Sequence, residues 1–170
     1  DSPVRTVLFV GAGRHQRRAI AQARATKLRV AAVDRNPDAP GLAEADIAKI
    51  VDFADVEAVL RATSRLKIDG VLTVSADRAV PVVAAVAAAR GLPGIGLETA
   101  HLLTNKIAMR RRLAERGVPQ PRFAAVRTIS ETRRAADEVG FPAVLKPADS
   151  GGQRGVFRVE SLDDVDRHLH

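Results

Sequence analysis

Thr6-Val7-Leu8-Phe9-Val10-Gly11-Ala12-Gly13 decides how the chain is read. A short β-rich apolar run stops at a glycine turn, and a helical pattern with Ile20 and Ala23 on one face follows. Leu28-Arg29-Val30-Ala31-Ala32-Val33-Asp34 is a second apolar run, closed by the turn-forming Arg35-Asn36-Pro37-Asp38-Ala39-Pro40-Gly41. Strand, glycine turn, helix and strand make a βαβ unit, expected to be parallel and right-handed.

The same cycle repeats outward from this unit. Ala48-Lys49-Ile50-Val51 reads as a strand, Asp55 as the N-cap of a helix through Arg65, and Asp69-Gly70 as the entry to the strand Val71-Leu72-Thr73-Val74. Ser75-Ala76-Asp77 opens an Ala- and Val-rich helix with Pro81 near its start, where a missing N–H costs little. Gly91-Leu92-Pro93-Gly94-Ile95-Gly96 ends it. Residues 1–103 are therefore expected to form a doubly wound α/β domain on a parallel sheet. From residue 104 the pattern changes. Helical patterns at 98–103 and 106–116 lead into the extended connector Gly117-Val118-Pro119-Gln120-Pro121. Strands are expected at 122–126, 143–146 and 156–159, a helix capped by Ser130 at 130–139, and a helix start at Ser161-Leu162-Asp163-Asp164 with acids at its positive end. Residues 104–170 read as an α+β domain that His170 does not complete.

Composition removes several function classes. With 46% hydrophobic and 28% charged residues, the 170-residue chain can bury a core. It has no Cys, so there is no disulfide framework, thiol nucleophile or thiolate metal site. Its aromatics are five Phe with no Trp or Tyr, which leaves single-strand stacking platforms poorly supplied. No run approaches a membrane span and no signal pattern opens the chain, so the expectation is a soluble, cytoplasmic protein with no membrane partner. The net charge of +7 is spread out: residues 1–102 carry 14 basic and 11 acidic side chains, and residues 103–170 carry 13 and 9. Arg110-Arg111-Arg112 with Arg116 lies in a helical pattern, where a solvated face accounts for it, and no nucleic-acid partner is expected.

Two glycine-rich stretches could carry chemistry. Gly11-Ala12-Gly13-Arg14-His15-Gln16, with Asp34 about twenty residues on, approaches the dinucleotide fingerprint, but Gln16 stands where its third glycine belongs. An NAD(P) site there is the lesser alternative. Val144-Leu145-Lys146-Pro147-Ala148-Asp149-Ser150-Gly151-Gly152-Gln153-Arg154-Gly155-Val156 sets a Lys at a strand end before a polar glycine-rich hairpin. Peptide N–H groups in such a hairpin can approach an anion, so it reads either as a phosphate cradle or as an ordinary hairpin with an edge Lys. It is not a Walker loop, because no Gly-Lys-Ser/Thr follows and the glycines precede a strand. His15, His101, His168 and His170 show no ligand spacing, and no metal site is expected within the chain.

The order of signals resembles a family. Leu103-Thr104-Asn105-Lys106, Arg110, Leu113, Gly117-Val118-Pro119-Gln120-Pro121, Phe141-Pro142-Ala143-Val144-Leu145-Lys146-Pro147, Ser150-Gly151-Gly152 and Gly155-Val156 together resemble the opening of an ATP-grasp domain. Ala32-Val33-Asp34-Arg35-Asn36-Pro37-Asp38-Ala39-Pro40-Gly41 with Ala45-Asp46 is similar to the pre-ATP-grasp domain that precedes it. The similarity is greatest to the carbamoyl-phosphate-synthetase-like and carboxylate–amine ligase branch. It implies a ligase that uses ATP with Mg²⁺ to activate a small-molecule carboxylate as an acyl phosphate for an amine. The strands expected in residues 104–170 leave an edge that a second copy of the chain could cover, as a homodimer. By position, Lys106 and Lys146 match the family's phosphate lysines, and Ser150, Gly151, Gly152 and Gly155 its mobile loop. Gly13, Arg14, His15, Gln16, Asp77 and Arg78 fall where a second substrate would meet the first domain. The resemblance puts the adenine-hinge strand and the Mg²⁺ ligands after His170, and no catalytic residue is assigned within the chain. The alternative is a nucleotide-binding or interaction module without chemistry.

Overall fold

The computed structural model describes residues 3–169. Backbone contacts divide the chain into two compact units, Asp1–Thr104 and Asn105–His170.

In the first unit β1 (Thr6–Val10), β2 (Arg29–Asp34), β3 (Ile47–Ile50) and β4 (Gly70–Leu72) form a parallel sheet in the order β3-β2-β1-β4. The central strands are buried along almost their whole length, as parallel strands covered on both faces must be. Strand periodicity splits their side chains between two cores. Leu8, Val10, Ala31 and Val33 pack with Val59 of α2 (Val56–Ala62) and with Val82 and Val86 of α3 (Val80–Ala89). Phe9, Val30 and Ala32 pack with Ile20 of α1 (Arg14–Ala25) and with Leu42. The expected doubly wound arrangement follows from this division. Each large side chain fully removed from water contributes about 1.5–3 kcal/mol.

Two aspartates bind the strand entries. Asp69 accepts the Thr6 N–H on Oδ2 at 2.8 Å and returns its own N–H to the Thr6 carbonyl at 2.8 Å. Asp46 does the same with Val30, at 2.8 and 2.9 Å. Each precedes its strand by one residue, so edge strands β3 and β4 start bonded to the strands beside them. Asp55 caps α2 as expected, accepting the Ala58 N–H at 2.9 Å. That helix ends at Ala62 instead of reaching Arg65, because the Thr63 hydroxyl turns back to the Val59 carbonyl and Arg90 donates to the Thr63 carbonyl. The strand expected over 71–74 stops at Leu72. Beyond it the Thr73 hydroxyl donates to the Val10 carbonyl, and Ser75 adopts φ 54°. Ser75-Ala76-Asp77 leads into a 3-10 turn, Asp77–Ala79, before α3 with Pro81 in its first turn. Helix α4 (Leu97–Thr104) packs on α3.

The second unit contains α5 (Lys106–Glu115), α6 (Ile129–Val139), the antiparallel pair β5 (Ala143–Leu145) and β6 (Phe157–Val159), and α7 (Leu162–Leu169). The strand expected over 122–126 is not formed. Among the described residues β5 and β6 pair only with each other, so that segment has no ladder to join. The cap expected at Ser130 is instead Thr128, whose side chain accepts the Glu131 N–H at 3.2 Å while Glu131 accepts the Arg127 N–H at 2.8 Å. Thr-x-x-Glu is a capping-box spacing, and it outcompetes the serine two residues further on. Ser161 and Asp164 repeat the device at α7: Ser161 accepts from Asp164 and Asp164 from Glu160. Arg133 of α6 pairs with Asp166 of α7, and that hydrogen bond holds the guanidinium above its ordinary pKa. Val159 and Val165 are buried, whereas Val144 and Phe157 stay exposed.

Candidate functional site

The β5–β6 register, Leu145 opposite Phe157, fixes both ends of the hairpin at residues 146–156. Asn105 sets the position of Lys106. Its side-chain oxygen accepts the Ile107 and Ala108 N–H groups at 3.1 and 3.0 Å, which makes Lys106 the first residue of α5. A first-turn N–H has no partner inside its helix, and that of Lys106 donates to the Ala148 carbonyl at 2.8 Å. Its ammonium donates to the Ser150 carbonyl. Lys106 therefore holds the hairpin at two points. Lys146 is exposed and has no hydrogen-bond or ion-pair partner among the described residues.

The hairpin backbone is left uncommitted. Among the described residues, the N–H groups of residues 150–155 donate to no protein acceptor; the nearest turn bond is Val156 N–H to the Gln153 carbonyl at 3.4 Å. Gly152, Gln153 and Gly155 have φ of 64°, 60° and 68°. At Gly155 a side chain is excluded twice, since a Cβ there would lie 2.9 Å from Pro147 Cγ. Ser150, Gly151, Gly152 and Gly155 thus share one backbone turn with Lys106 bonded to it. What this arrangement can do chemically is offer ammonium groups and directional peptide N–H donors to an anion.

The first unit gathers its candidate residues at the carboxyl ends of β1 and β4. The buried Gln16 donates its side-chain amide to the Val74 carbonyl, tying α1 to the segment after β4. Gly13 accepts the Gln16 and Arg17 N–H groups and opens α1. Arg14 and His15 are exposed in the first turn of α1, and Asp77 and Arg78 in the 3-10 turn. Asp34, weighed above as a ribose ligand, has both oxygens in use: Oδ2 accepts the Ala12 N–H at 2.8 Å and Oδ1 the Asn36 N–H at 2.9 Å. It acts as a buried strut between the glycine turn and the turn after β2. Gly41 completes that strut, since its N–H donates to the Ala12 carbonyl at 2.7 Å and a Cβ would sit 2.5 Å from that oxygen. Asn105 went unassigned in the sequence reading, although Asn directly before a helical run is a capping signal. Among the described residues no group of three or more His, Asp or Glu could hold a metal ion.

No family model matches the chain. It is 37% identical over 73 residues to an L-arginine-specific L-amino acid ligase of Bacillus subtilis, covering 43% of this chain and 18% of that protein. It is 31% identical over 166 residues to a formate-dependent phosphoribosylglycinamide formyltransferase of Burkholderia thailandensis, covering 94% of this chain and 40% of the relative. An N5-carboxyaminoimidazole ribonucleotide synthetase solved with ADP matches 97% of this chain with a TM-score of 0.81 at 20% identity. These are ATP-grasp ligases, and the chain matches their N-terminal part. An L-amino acid ligase from Bacillus licheniformis gives the same ATP-grasp likeness over 98% of this chain and 42% of its own, with a TM-score of 0.77 at 21% identity. At such identities the ATP-grasp structures establish the fold. The chain spans about two-fifths of the length of its formyltransferase relatives and of these structures, and a smaller share of the amino acid ligase.

Proposed function

We propose that this chain is the nucleotide-binding N-terminal part of an ATP-dependent carboxylate–amine ligase. Residues 1–103 serve as its pre-ATP-grasp domain and residues 104–170 begin its ATP-grasp domain. The observation that carries the proposal is the union of Lys106 with a hairpin whose N–H groups, residues 150–155, are uncommitted. Relatives named as ligases support it, as do neighbours whose descriptions include ADP and MgADP.

ATP supplies a transferable phosphoryl group. In the proposed reaction a carboxylate oxygen attacks the terminal phosphorus as the bond to ADP breaks. An amine nitrogen then attacks the acyl carbon, phosphate leaves with the C–O electron pair, and the amine proton passes to solvent. The chain's own residues bind and orient. Lys106 and Lys146 are compact charges suited to phosphate oxygens, and the hairpin N–H groups add direction. The Ser150 carbonyl that now accepts from Lys106 is a neutral acceptor. A phosphate oxygen is charged, so it adds a coulombic attraction for the ammonium that the neutral Ser150 carbonyl lacks. A bound nucleotide therefore draws the Lys106 ammonium from Ser150, while the Lys106 N–H keeps its bond to Ala148 and the uncommitted N–H groups of residues 150–155 turn toward the phosphates. The described residues do not fit Mg²⁺, and no step is assigned to a metal held by this chain.

The carboxylate or amine substrate meets the first unit where Arg14, His15, Asp77 and Arg78 are exposed beside Gly13 and Gln16, outside the carboxyl ends of the strands. Titration calorimetry tests the nucleotide reading. ATP should bind the chain, Lys146→Ala should weaken it about tenfold or more, and turnover should be absent from the chain alone. Equal ATP affinity in parent and Lys146→Ala would overturn the reading.

A further inference from the structure

The amino-terminal edge of the first unit's sheet, opposite the strand ends just described, carries a second cationic feature. Arg5, Arg29, Arg65 and Lys67 line a cleft of about 230 Å³ there, with Thr6 and Asp69 in its wall. The sheet register brings these residues together. Arg29 stands opposite Thr6 in the β1–β2 pair and donates its N–H to the Arg5 carbonyl at 3.0 Å, so residues 5 and 29 sit side by side. The segment 65–69 arrives at the same edge because Asp69 bonds Thr6 through both its side chain and its N–H.

None of the four cations has an ion-pair partner among the described residues. Elsewhere in this unit Arg17 is paired with Glu44 and Arg24 with Asp46, at 2.8 and 3.0 Å. Asp69, the acid of the wall, spends Oδ2 on the Thr6 N–H and supplies one charge against four. Like charges held around one cleft repel, and a multivalent anion relieves that repulsion at several points at once. Guanidinium forks suit phosphate oxygens bidentately. The cleft is smaller than the roughly 300–1,000 Å³ of ordinary small-molecule sites, which limits its occupant to a compact group.

We infer that Arg5, Arg29, Arg65 and Lys67 form a binding site for a compact di- or triphosphate at the amino edge of the sheet. It is separate in sequence and strand end from the residues of the proposed nucleotide and substrate sites. The test is a pyrophosphate titration followed by amide NMR on the whole chain carrying Lys106→Ala and Lys146→Ala, so that the hairpin does not compete. Saturable shifts are expected at residues 5–6, 29 and 65–69, and Arg29→Ala or Arg65→Ala should each weaken binding roughly tenfold. Both side chains are exposed, and an unchanged melting temperature would show that the variants fold. ADP shifting the same amides as strongly would make a nucleotide's phosphate tail the source, and a preference for pyrophosphate would make it the free anion; either outcome upholds the site. Shifts reproduced by sodium chloride at equal ionic strength, or an affinity unmoved by both arginine variants, would overturn it.

Discussion

Lys106 reaches Ser150 through its ammonium group, which donates to that residue's carbonyl oxygen, while its peptide N–H donates to the Ala148 carbonyl at 2.8 Å. The side chain proposed to meet phosphate thus also restrains the hairpin, and the two roles predict different signatures for the two lysines.

Lys106→Ala should lower ATP affinity about tenfold and also loosen residues 148–151, because one of the two ties is lost. Lys146→Ala should lower affinity comparably with no change in loop order, since Lys146 holds nothing among the described residues. Backbone ¹⁵N relaxation beside calorimetry separates these effects. Equal relaxation of residues 148–151 in the two variants would count against the restraint.

Gly152 and Gly155 should respond unequally to alanine. Both are left-handed, with φ of 64° and 68°, so each substitution costs roughly 1–2 kcal/mol from the backbone alone. Only at Gly155 does the new methyl also meet Pro147, at 2.9 Å from Cγ and 3.2 Å from Cδ. Gly155→Ala should therefore displace the hairpin from Pro147 and weaken ATP binding more than Gly152→Ala. Amide shifts at residues 146–156 report the displacement, and similar perturbation by both variants would contradict it.

These geometries also show what could be read from residue order. The βαβ unit was legible as two short apolar runs, Thr6–Val10 and Leu28–Asp34, separated by a glycine turn and a helical pattern; the split of their side chains between two cores was not, since neighbours such as Leu8 and Phe9 are equally apolar. The hairpin was legible as glycines after a strand-end lysine. Its tie to Lys106 was not, since a contact spanning 44 residues leaves no local pattern. Asp34 resembled a ribose ligand by spacing, yet its oxygens face the Ala12 and Asn36 N–H groups. The 122–126 strand failed for the converse reason: β-rich local sequence does not make a ladder without a partner.

Asp34→Ala should destabilise the first unit by about 1–3 kcal/mol for each N–H left without its acceptor, most severely at buried Ala12. Asp34→Asn should cost less, because its one remaining oxygen can still serve one donor. Urea unfolding measures both. NADH fluorescence should show no binding to the parent chain, and saturable binding lost in Asp34→Asn would restore the dinucleotide reading.

Hydrogen exchange should separate the two units by protection. In the first, Leu8, Val10, Ile20, Val30, Val33, Val59 and Val86 are wholly buried, and β1 and β2 are each bonded on both sides within the sheet. Among the described residues of the second, the buried apolar side chains are Val159 and Val165, while Val144, Val156 and Phe157 remain exposed. The strands there are short, and each has one edge unpaired among the described residues. Local opening free energy follows buried contacts and paired backbone, so amides of β1 and β2 should exchange through global unfolding and those of β5 and β6 through cheaper local opening. Capping at Thr128 and Ser161 should keep α6 and α7 more protected than the sheet beside them, since each cap contributes about 1 kcal/mol. Protection of Val144 and Arg158 equal to that of Leu8 and Val33 would show that the second unit is stabilised by something other than its own core.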